Sequence, residues 1–347
     1  MRILLTGATG VIGSEVDELL SARRNVDVDL ARTARRRSPA GDAVRWNIGT
    51  QPTPPEVRGE WDVIVHLAAS TRWTMTRAEA YKANVAPLAA VLSLATERTH
   101  LVHVSTAYVV GPTPGSRDAD PEYDAFRNGY EWSKAASEAL VRERHAGPLT
   151  IVRPPLVVGR RRDGRISRFT GLYTLFQTFG SGLAAVVVGE PDGYVEIAPV
   201  DQVAEVVVDA ALGPPPAVPT VETVAAGTRS LRLAPMLSII IGALNEWRVA
   251  RGLMPINEPP LVTADRWHRF FLPLAEQHLS PIQHHAIQLL GMFEGYTSMA
   301  RPFEPTRRVA DPADVLWRSV RFWAETRQRS AARTPEPWRI DGSVPSK

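Results

Sequence analysis

Tyr130 and Lys134 are four residues apart, a spacing that places both side chains on one face of a helix, one turn from each other. A free tyrosine has a pKa of about 10, which is too high for ready proton exchange at neutral pH. A lysine cation at this distance favours the phenolate, and we therefore expect it to lower the tyrosine pKa. The pair indicates a general acid/base that exchanges a proton with a substrate oxygen.

Thr106 supplies a further hydroxyl group, just after the apolar run Leu101–Val104. We expect this hydroxyl to hold the same substrate oxygen, with the neighbouring Ser105 as a spare. Only three of the 40 lysines and arginines are lysines. Arginine would serve at position 134 if only a positive charge were needed there, so the lysine at this position supports the assignment. Because Tyr-x-x-x-Lys is common by chance, the assignment depends on the elements that position these residues.

The chain opens with a pattern typical of a strand, a glycine turn and a helix. Arg2–Thr6 has the length and composition of a buried parallel strand, and Val16, Leu19 and Leu20 recur at helical spacing after it. Between them lies a Gly-x-x-Gly-x-x-Gly turn, which differs from the Gly-x-Gly-x-x-Gly of the dehydrogenase fingerprint. Its backbone can approach a pyrophosphate closely, and the first N–H groups of the helix point at that group. The predicted dinucleotide contacts are Gly7, Thr9, Gly10, Val11, Ile12 and Gly13.

The second strand ends in arginine rather than in an acidic residue. We predict this strand at Val26–Ala31, with Asp29 inside it and Arg32 directly after it. An acidic residue at this end would bind the 2′-hydroxyl of NAD, whereas arginine accommodates the 2′-phosphate of NADP. The predicted cofactor is therefore NADP(H), and the alternative is a solvated basic loop. The expected phosphate contacts are Arg32, Arg35 and Arg36.

Further apolar runs alternate with helical periodicity, which predicts an α/β fold with a doubly wound parallel Rossmann-type sheet. These strands are predicted at Val44–Ile48, Asp62–Leu67, Leu101–Val104 and Thr150–Arg153, with a return to the sheet at Tyr194–Val200. Residues at the carboxyl ends of such strands are expected to contact the cofactor. They are Asn47, Ile48, Leu67, Ala68, Ala69, Pro154 and Leu156.

We expect an NADP-binding Rossmann domain at residues 1–159 plus about 194–212. A smaller, mostly helical C-terminal substrate-binding region takes about 160–193 and 213–330, and 331–347 is a flexible tail. Many aromatic residues recur at helical spacing between 234 and 329, which usually indicates core packing. They could also form the wall of an apolar pocket beside the carboxyl edge of the sheet.

The composition excludes several classes of site. The chain has no cysteine, which rules out disulfides, thiolate metal sites and a cysteine nucleophile, and no metal site is expected. The longest apolar run, near Leu237–Leu244, is too short to span a bilayer. The first residues do not resemble a signal peptide. We therefore expect a cytoplasmic protein without membrane insertion and without a nucleic-acid partner.

Five segments resemble the extended short-chain dehydrogenase/reductase superfamily in order and spacing: TGATGVIG, HLAAS, VSTAYVVG, YEWSK and RPPLVVG. The resemblance implies that Thr106 is the catalytic hydroxyl residue, Tyr130 the general acid/base and Lys134 its partner. It also implies that Asn84 supports the proton relay. Asn47 stands where the family usually has an aspartate that contacts the adenine, so that contact is in question.

Within the superfamily, HVSTAYVVG, TIVRPPLVVGRRRDGR, VEIAPVDQVAEVVV and FEGYTSMARPFEPTR resemble the fatty acyl-CoA reductase and thioester reductase branch. This implies NADPH-dependent reduction of an acyl thioester, bound to CoA or to a carrier protein, or of the derived aldehyde. The arginines at 160–162, 165 and 168 suit the phosphate of a pantetheine arm or an acidic carrier, with a solvated loop as the alternative. Relatives often pair through two helices, which here implies a homodimer through Tyr81–Ala95 and Tyr130–Arg144.

Two other functions stay open. A nucleotide-sugar epimerase or dehydratase shares the catalytic set but retains tightly bound NAD and recycles it within each turnover. A cofactor-sensing regulator uses such a fold without turnover, and it has no need of Tyr130 and Lys134 in register.

Overall fold

The computed structural model describes residues 1–23, 27–35, 43–110, 125–182, 186–273 and 291–335. The chain forms two compact units. The first comprises Met1–Pro155, Ala198–Ala225 and Glu304–Val309, and the second comprises Leu156–Ile197, Ala226–Phe303 and Ala310–Lys347. Residues 213–225, which the sequence analysis assigns to the substrate region, therefore lie in the first unit.

A parallel sheet of eight strands is the framework of the first unit. Its order is β8-β7-β6-β5-β4-β1-β2-β3, which reverses direction between β1 and β4 and so creates the crevice where doubly wound sheets bind ligands. The predicted Rossmann-type fold is confirmed. The strands are β1 (Arg2–Thr6), β2 (Asp29–Ala34), β3 (Val44–Arg45), β4 (Val63–His66), β5 (His100–Val104), β6 (Leu149–Arg153), β7 (Thr220–Ala225) and β8 (Arg307–Arg308).

Helices cover both faces of this sheet, so its central strands are apolar and buried along nearly their whole length. On one face, Leu4, Ile64 and Leu101 share a core cluster with Trp46 and Trp61. On the other face, helix α1 packs against helix α3. The helices are α1 (Val11–Ala22), the segments Arg77–Ala80, Tyr81–Val85 and Ala86–Leu92, α2 (Gly129–Arg144) and α3 (Val200–Leu212).

The second unit is mostly helical, as the sequence predicts. Helices α4 (Leu233–Val249) and α5 (Pro312–Thr326) pack against each other. Aromatic rings form part of this core, where Phe176 contacts Tyr173 edge-on and Trp323 at 6.1 Å between ring centroids. Its other elements are helices Tyr173–Gly180, Ala264–Arg266, Trp267–Phe271 and Gln328–Ala331, and short strands Leu156–Val158, Val187–Val188, Tyr194–Val195, Leu231–Arg232 and Leu261–Val262.

Three predicted strands differ from the structure. The second strand spans Asp29–Ala34 rather than Val26–Ala31, because its first residue pairs with Arg2 at the start of β1. The third ends at Arg45, since Asn47 begins a turn. Tyr194–Val200 does not return to the large sheet as predicted, and its first two residues pair instead with Leu231–Arg232 in the second unit.

Across the described ranges, no helix is both long enough and apolar enough to cross a bilayer.

Candidate active site

The glycine turn after β1 forms a tight cradle. Gly7 has a φ of +74°, and a Cβ added there would lie 2.7 Å from the backbone nitrogen of Ala68. A Cβ on Gly13 would lie 2.1 Å from the carbonyl oxygen of Gly7. Neither position accepts a side chain without a shift of backbone, because both distances are below any normal Cβ contact. The glycines therefore bring β1, β4 and α1 into direct backbone proximity.

Helix α1 begins at this cradle with its first turn free of competing groups. Gly10 is the N-cap and has no side chain to cap the helix, and the first turn contains no acidic residue. The N–H groups of Val11, Ile12 and Gly13 thus face the cradle at the positive end of the helix dipole. Thr9 is half-buried in the turn. A close-fitting backbone cradle at the N-terminus of a helix fits the pyrophosphate of a dinucleotide.

Of the two arginines described near β2, Arg32 is hydrogen-bonded to side chains of α1 and Arg35 is exposed. Arg32 lies inside β2, and its guanidinium donates to Asp17 Oδ1 at 2.6 Å and to Ser21 Oγ at 2.7 Å. The expectation that Arg32 follows the strand is therefore wrong: the residue is held against α1. The strand ends at Ala34, and Arg35, the first residue beyond it, is exposed. Arg36 lies outside the described residues.

The remaining predicted cofactor contacts follow other strands of the sheet. Asn47 shapes the turn after β3, donating its N–H to Gln51 Oε1 at 2.9 Å. Ile48 is buried in the core and takes no exposed position. After β4, Leu67 and Ala68 are half-buried and Ala69 is exposed, while Pro154 after β6 is buried and Leu156 belongs to the second unit.

Helix α2 places Tyr130 and Lys134 in its first two turns. Asn128 caps the helix by accepting the N–H of Glu131 at 3.1 Å. Gly129 allows the helix start to approach the chain at Met75, since a Cβ there would lie 2.3 Å from the Met75 carbonyl oxygen. Tyr130 is half-buried and Lys134 is buried. The predicted helical spacing of the two residues is present in the structure.

Thr106 lies directly beyond the carboxyl end of β5. Its hydroxyl donates to the carbonyl oxygen of Pro154 at 3.2 Å, and the N–H of Ala107 donates to the same oxygen at 2.9 Å. The Thr106 hydroxyl also lies close enough to the Tyr130 phenol to act on its pKa. Both predicted hydroxyl groups are thereby brought together. Ser105 is buried, and its hydroxyl finds no partner among the described residues.

Burial, more than the neighbouring charge, sets the proton affinity of the pair. It raises the pKa of the Tyr130 phenol to about 12, with a contribution in the same direction from Glu131 and an opposing one from Thr106. Burial lowers the pKa of Lys134 to about 8, against an opposing contribution from Glu138. The pKa of Tyr130 in the protein alone is therefore raised rather than lowered, because loss of water destabilises the phenolate.

Asn84 connects two parts of the site. It lies in the short π-helical segment Tyr81–Val85, a local departure from α-helical pairing that is frequent at functional sites. Its side chain accepts the N–H of Ser70 at 2.7 Å and donates to Ser70 O at 3.0 Å and to Ser133 Oγ at 2.7 Å. Asn84 thus joins the loop after β4 to helix α2, the element that presents Tyr130.

Two buried histidines near Lys134 were missed by the sequence analysis. His103 Nε2 lies 3.4 Å from Lys134 Nζ, and the ring of His103 stacks on that of His66 at 5.6 Å between centroids. His66 Nδ1 is hydrogen-bonded to Thr6 Oγ1 at 2.8 Å, directly before the glycine turn. The signal in the sequence is that both histidines occupy the ends of apolar runs that form neighbouring parallel strands.

The arginine-rich segment 160–168 belongs to the second unit. Its turn is closed by a hydrogen bond from the Arg160 N–H to the Arg165 carbonyl oxygen at 2.9 Å. Gly164 has a φ of +70°, and a Cβ there would lie 2.2 Å from the Arg318 carbonyl oxygen, so the turn lies directly on α5. The exposed arginines of the segment are Arg161, Arg162, Arg165 and Arg168.

Comparison with known proteins gives one family match. The model of an NAD-binding family, described as "Male sterility protein", matches residues 29–207, just over half of the chain. The isonitrile lipopeptide synthase of Streptomyces coeruleorubidus is 27% identical over an alignment of 259 residues, and the match covers 63% of this chain and 17% of that protein. Fatty acyl-CoA reductase 1 of Gallus gallus is 29% identical over an alignment of 184 residues, and the match covers 43% of this chain and 36% of that protein. The chain thus spans about a sixth of the first relative and about a third of the second.

A solved structure resembles the chain over most of its length. The terminal R domain from the myxalamid PKS-NRPS biosynthetic pathway aligns with a TM-score of 0.67 at 21% identity, covering 96% of this chain and 92% of that domain. Likeness at this identity establishes the fold, and the chemistry has to be argued from the site.

Proposed function

Because this chain belongs to the male sterility family of NAD-binding proteins, within the extended short-chain dehydrogenases/reductases, we propose that it is an NADPH-dependent reductase of an acyl thioester or of the derived aldehyde. The observation that carries the proposal is the position of Thr106, Tyr130 and Lys134 at the same carboxyl edge of the sheet as the glycine cradle. A line of side-chain contacts from Thr6 to Lys134 crosses β1, β4 and β5 along this edge.

The binding residues for the cofactor follow from the cradle and from the end of β2. The pyrophosphate would lie on the N–H groups of Val11, Ile12 and Gly13. Arg35 is an exposed cation next to the end of β2, and Ala34, the last residue of the strand, has no carboxylate to accept a ribose 2′-hydroxyl. This arrangement favours the 2′-phosphate of NADP(H).

The reduced nicotinamide, when bound, supplies the hydride that together with one proton converts a thioester into an aldehyde and a thiol. Tyr130 donates that proton to the carbonyl oxygen as the hydride adds to the carbon, a role for which a phenol that stays protonated at neutral pH is suited. When the C–S bond of the resulting hemithioacetal breaks, the proton passes from this oxygen to the leaving thiolate. Thr106 holds the same oxygen through its hydroxyl. Lys134, cationic below its pKa of about 8, stabilises the negative charge that forms on Tyr130 as the proton leaves.

A thioester substrate is supported by two features of the chain. Its curated relatives are named as a lipopeptide synthase and a fatty acyl-CoA reductase. The exposed arginines of segment 160–168 present positive charge on a turn that is fixed against α5, which suits the phosphate of a pantetheine arm or the acidic surface of a carrier protein.

The test follows nicotinamide absorbance with NADPH and a panel of acyl-CoAs, acyl carriers and aldehydes, with free thiol measured in parallel. We expect one NADPH to be oxidised for each thiol and aldehyde formed. Copurified NAD without net NADPH oxidation would instead support a nucleotide-sugar epimerase or dehydratase. Tight NADPH binding without turnover of any panel member would support a cofactor-sensing regulator.

We also propose that the protein forms a homodimer through the helical segment 81–95 and helix α2. Light scattering at micromolar concentration should give about twice the chain mass of 38.1 kDa. A mass equal to that of the single chain would contradict this assembly.

A further inference from the structure

Lys134 is a buried cation whose ammonium group makes one hydrogen bond within the described part of the chain. The partner is His103, whose Nε2 lies 3.4 Å from Lys134 Nζ. The lysine is only 3% exposed, so water cannot replace that partner freely. A buried charged group without a hydrogen-bond partner is strongly destabilised, so the acceptor matters for the charge state of Lys134.

His103 is an acceptor because it stays neutral. Burial, with Lys134 and His66 as further causes, holds the pKa of His103 well below the usual 6.5. A neutral imidazole carries one proton, and if Nε2 accepts from the ammonium, that proton lies on Nδ1. His103 Nδ1 is buried and has no partner among the described residues. The tautomer that serves Lys134 thus leaves a buried N–H unpaired, which is unfavourable for the fold by itself.

The His103 ring is fixed by His66 on the neighbouring strand. His66 lies opposite His103 in the register of β4 and β5, and the two rings are only 13° from parallel. His66 is fixed in turn by its hydrogen bond to Thr6 at 2.8 Å. The pKa of His66 is lowered to about 3 by burial and by Lys134, so this ring too is neutral and adds no charge beside the ammonium.

We propose that His103 is a positioning residue for Lys134. Its neutral imidazole accepts a hydrogen bond from the Lys134 ammonium, and this bond keeps the ammonium protonated and holds it in place within the site. The consequence for turnover rests on the proposed function, whereas the effect on the charge of Lys134 does not.

The other charged and titratable groups around Lys134 do not supply this acceptor. On helix α2, Tyr130 is a protonated phenol one turn before the lysine. Glu138, one turn after it, has both carboxylate oxygens bound by the guanidinium of Arg153 at 2.9 and 2.5 Å. Glu138 therefore acts on Lys134 through its charge alone. The residue that accepts the hydrogen bond from Lys134 is His103 on β5.

The scarcity of lysine makes the test direct. With only Lys82, Lys134 and Lys347 in the chain, 13C-lysine labelling of the ligand-free protein gives three side-chain resonances, assigned with Lys134→Arg. We compare the wild type with His103→Gln, whose amide reaches the position of Nε2, and His103→Asn, whose amide reaches only that of Nδ1. The loss of one hydrogen bond to the charged form should lower the Lys134 pKa by about one in His103→Asn. His103→Gln should restore the wild-type value, and Lys82, which is exposed, is the internal control.

An unchanged or raised Lys134 pKa in His103→Asn, or an equal fall in both variants, would overturn the proposal. If His103→Asn does not fold, 15N-histidine spectra of the wild type decide it: a proton on His103 Nδ1 supports the acceptor role and a proton on Nε2 overturns it. Activity is measured separately. A wild type that shows the expected lysine titrations but oxidises no NADPH would refute the proposed function and leave the role of His103 standing.

Discussion

Replacement of Lys134 by methionine should make the protein more stable at neutral pH while it removes a residue of the proposed active site. The ammonium is buried, and its pKa falls from 10.5 in an ordinary lysine to about 8 in the folded chain. Folding at pH 7 therefore brings a charged group into surroundings that disfavour it. Methionine has a similar length and no charge, so Lys134→Met eliminates this unfavourable contribution.

The magnitude follows from the pKa change. A fall from 10.5 to about 8 corresponds to about 3 kcal/mol of destabilisation at pH 7, at 1.36 kcal/mol for each pKa unit. His103 loses its hydrogen-bond partner in the variant, which takes back about 1 kcal/mol. The net expectation is a gain of about 2 kcal/mol in the free energy of unfolding.

The gain in stability from Lys134→Met should shrink as the pH rises, and this pH dependence identifies the charge of Lys134 as its cause. Between pH 8 and 10.5 the unfolded chain holds a proton on Lys134 that the folded chain has lost, so wild-type stability rises with pH in this window. By pH 9.5 the gain from Lys134→Met should have fallen to roughly zero. Readings stay below pH 10, because above it Tyr130, whose pKa is raised to about 12, contributes with the opposite sign.

Urea unfolding at pH 7 and pH 9.5, followed by tryptophan fluorescence, measures both quantities. Lys82→Met removes an exposed lysine and should leave the free energy of unfolding unchanged at either pH. A Lys134→Met protein that is less stable than the wild type at pH 7, or whose gain is the same at pH 9.5, would refute the reasoning.

Tyr130→Phe should reduce kcat by about 10²–10⁴-fold and leave NADPH affinity nearly unchanged, since only the proton donor is lost; wild-type kcat in steady-state assays would disprove the assignment. Arg35→Ser should weaken NADPH binding about tenfold in calorimetric titration and leave NADH binding unchanged, whereas Arg98→Ser, an exposed change at the amino end of β5, should affect neither. Acid should destabilise the fold, because the pKa values of His66 and His100 are lowered to about 3 and 4. Below pH 6.5 the unfolded chain binds protons that these buried rings reject, so stability at pH 5 should be about 2 kcal/mol lower for each than at pH 7, and His66→Gln should recover its share in urea unfolding.

The fold could be predicted where the sequence pattern that specifies an element lies within one continuous segment. The strand, glycine turn and helix at residues 2–22 are specified locally, since Gly7 and Gly13 are required by backbone contact within that unit. The bounds of strands that pair with a distant segment of the chain were harder to predict from the sequence. Thr220–Ala225 joins the sheet beside β6, and the edge strand Arg307–Arg308 has only two residues, too few for a periodic pattern. Pairing between segments far apart in the chain decided these cases.

The sequence predicted which residues form the candidate site, but it predicted their pKa values less well. Spacing alone placed Tyr130 and Lys134 on one helical face, and the order of the strands brought Thr106 to the same place. Burial is not visible in spacing, so the raised pKa of Tyr130 in the protein alone could not be predicted. The contact between His103 and Lys134 depends on the register of β5 against helix α2, which no local pattern reports.

The two shifted pKa values set the protonation states from which the proposed reduction would start. In the ligand-free protein Tyr130 keeps its proton up to a pKa of about 12, while Lys134 gives up its charge near pH 8. A phenol that is fully protonated at pH 7 can donate to a carbonyl oxygen that gains negative charge, which is the step that the proposed reduction requires. Lys134 is still cationic at pH 7, so it can stabilise the phenolate at the moment the proton leaves. Burial thus leaves both groups in the protonation states that the proposed reduction requires at pH 7, and the fold bears the instability of a buried ammonium to keep that state available.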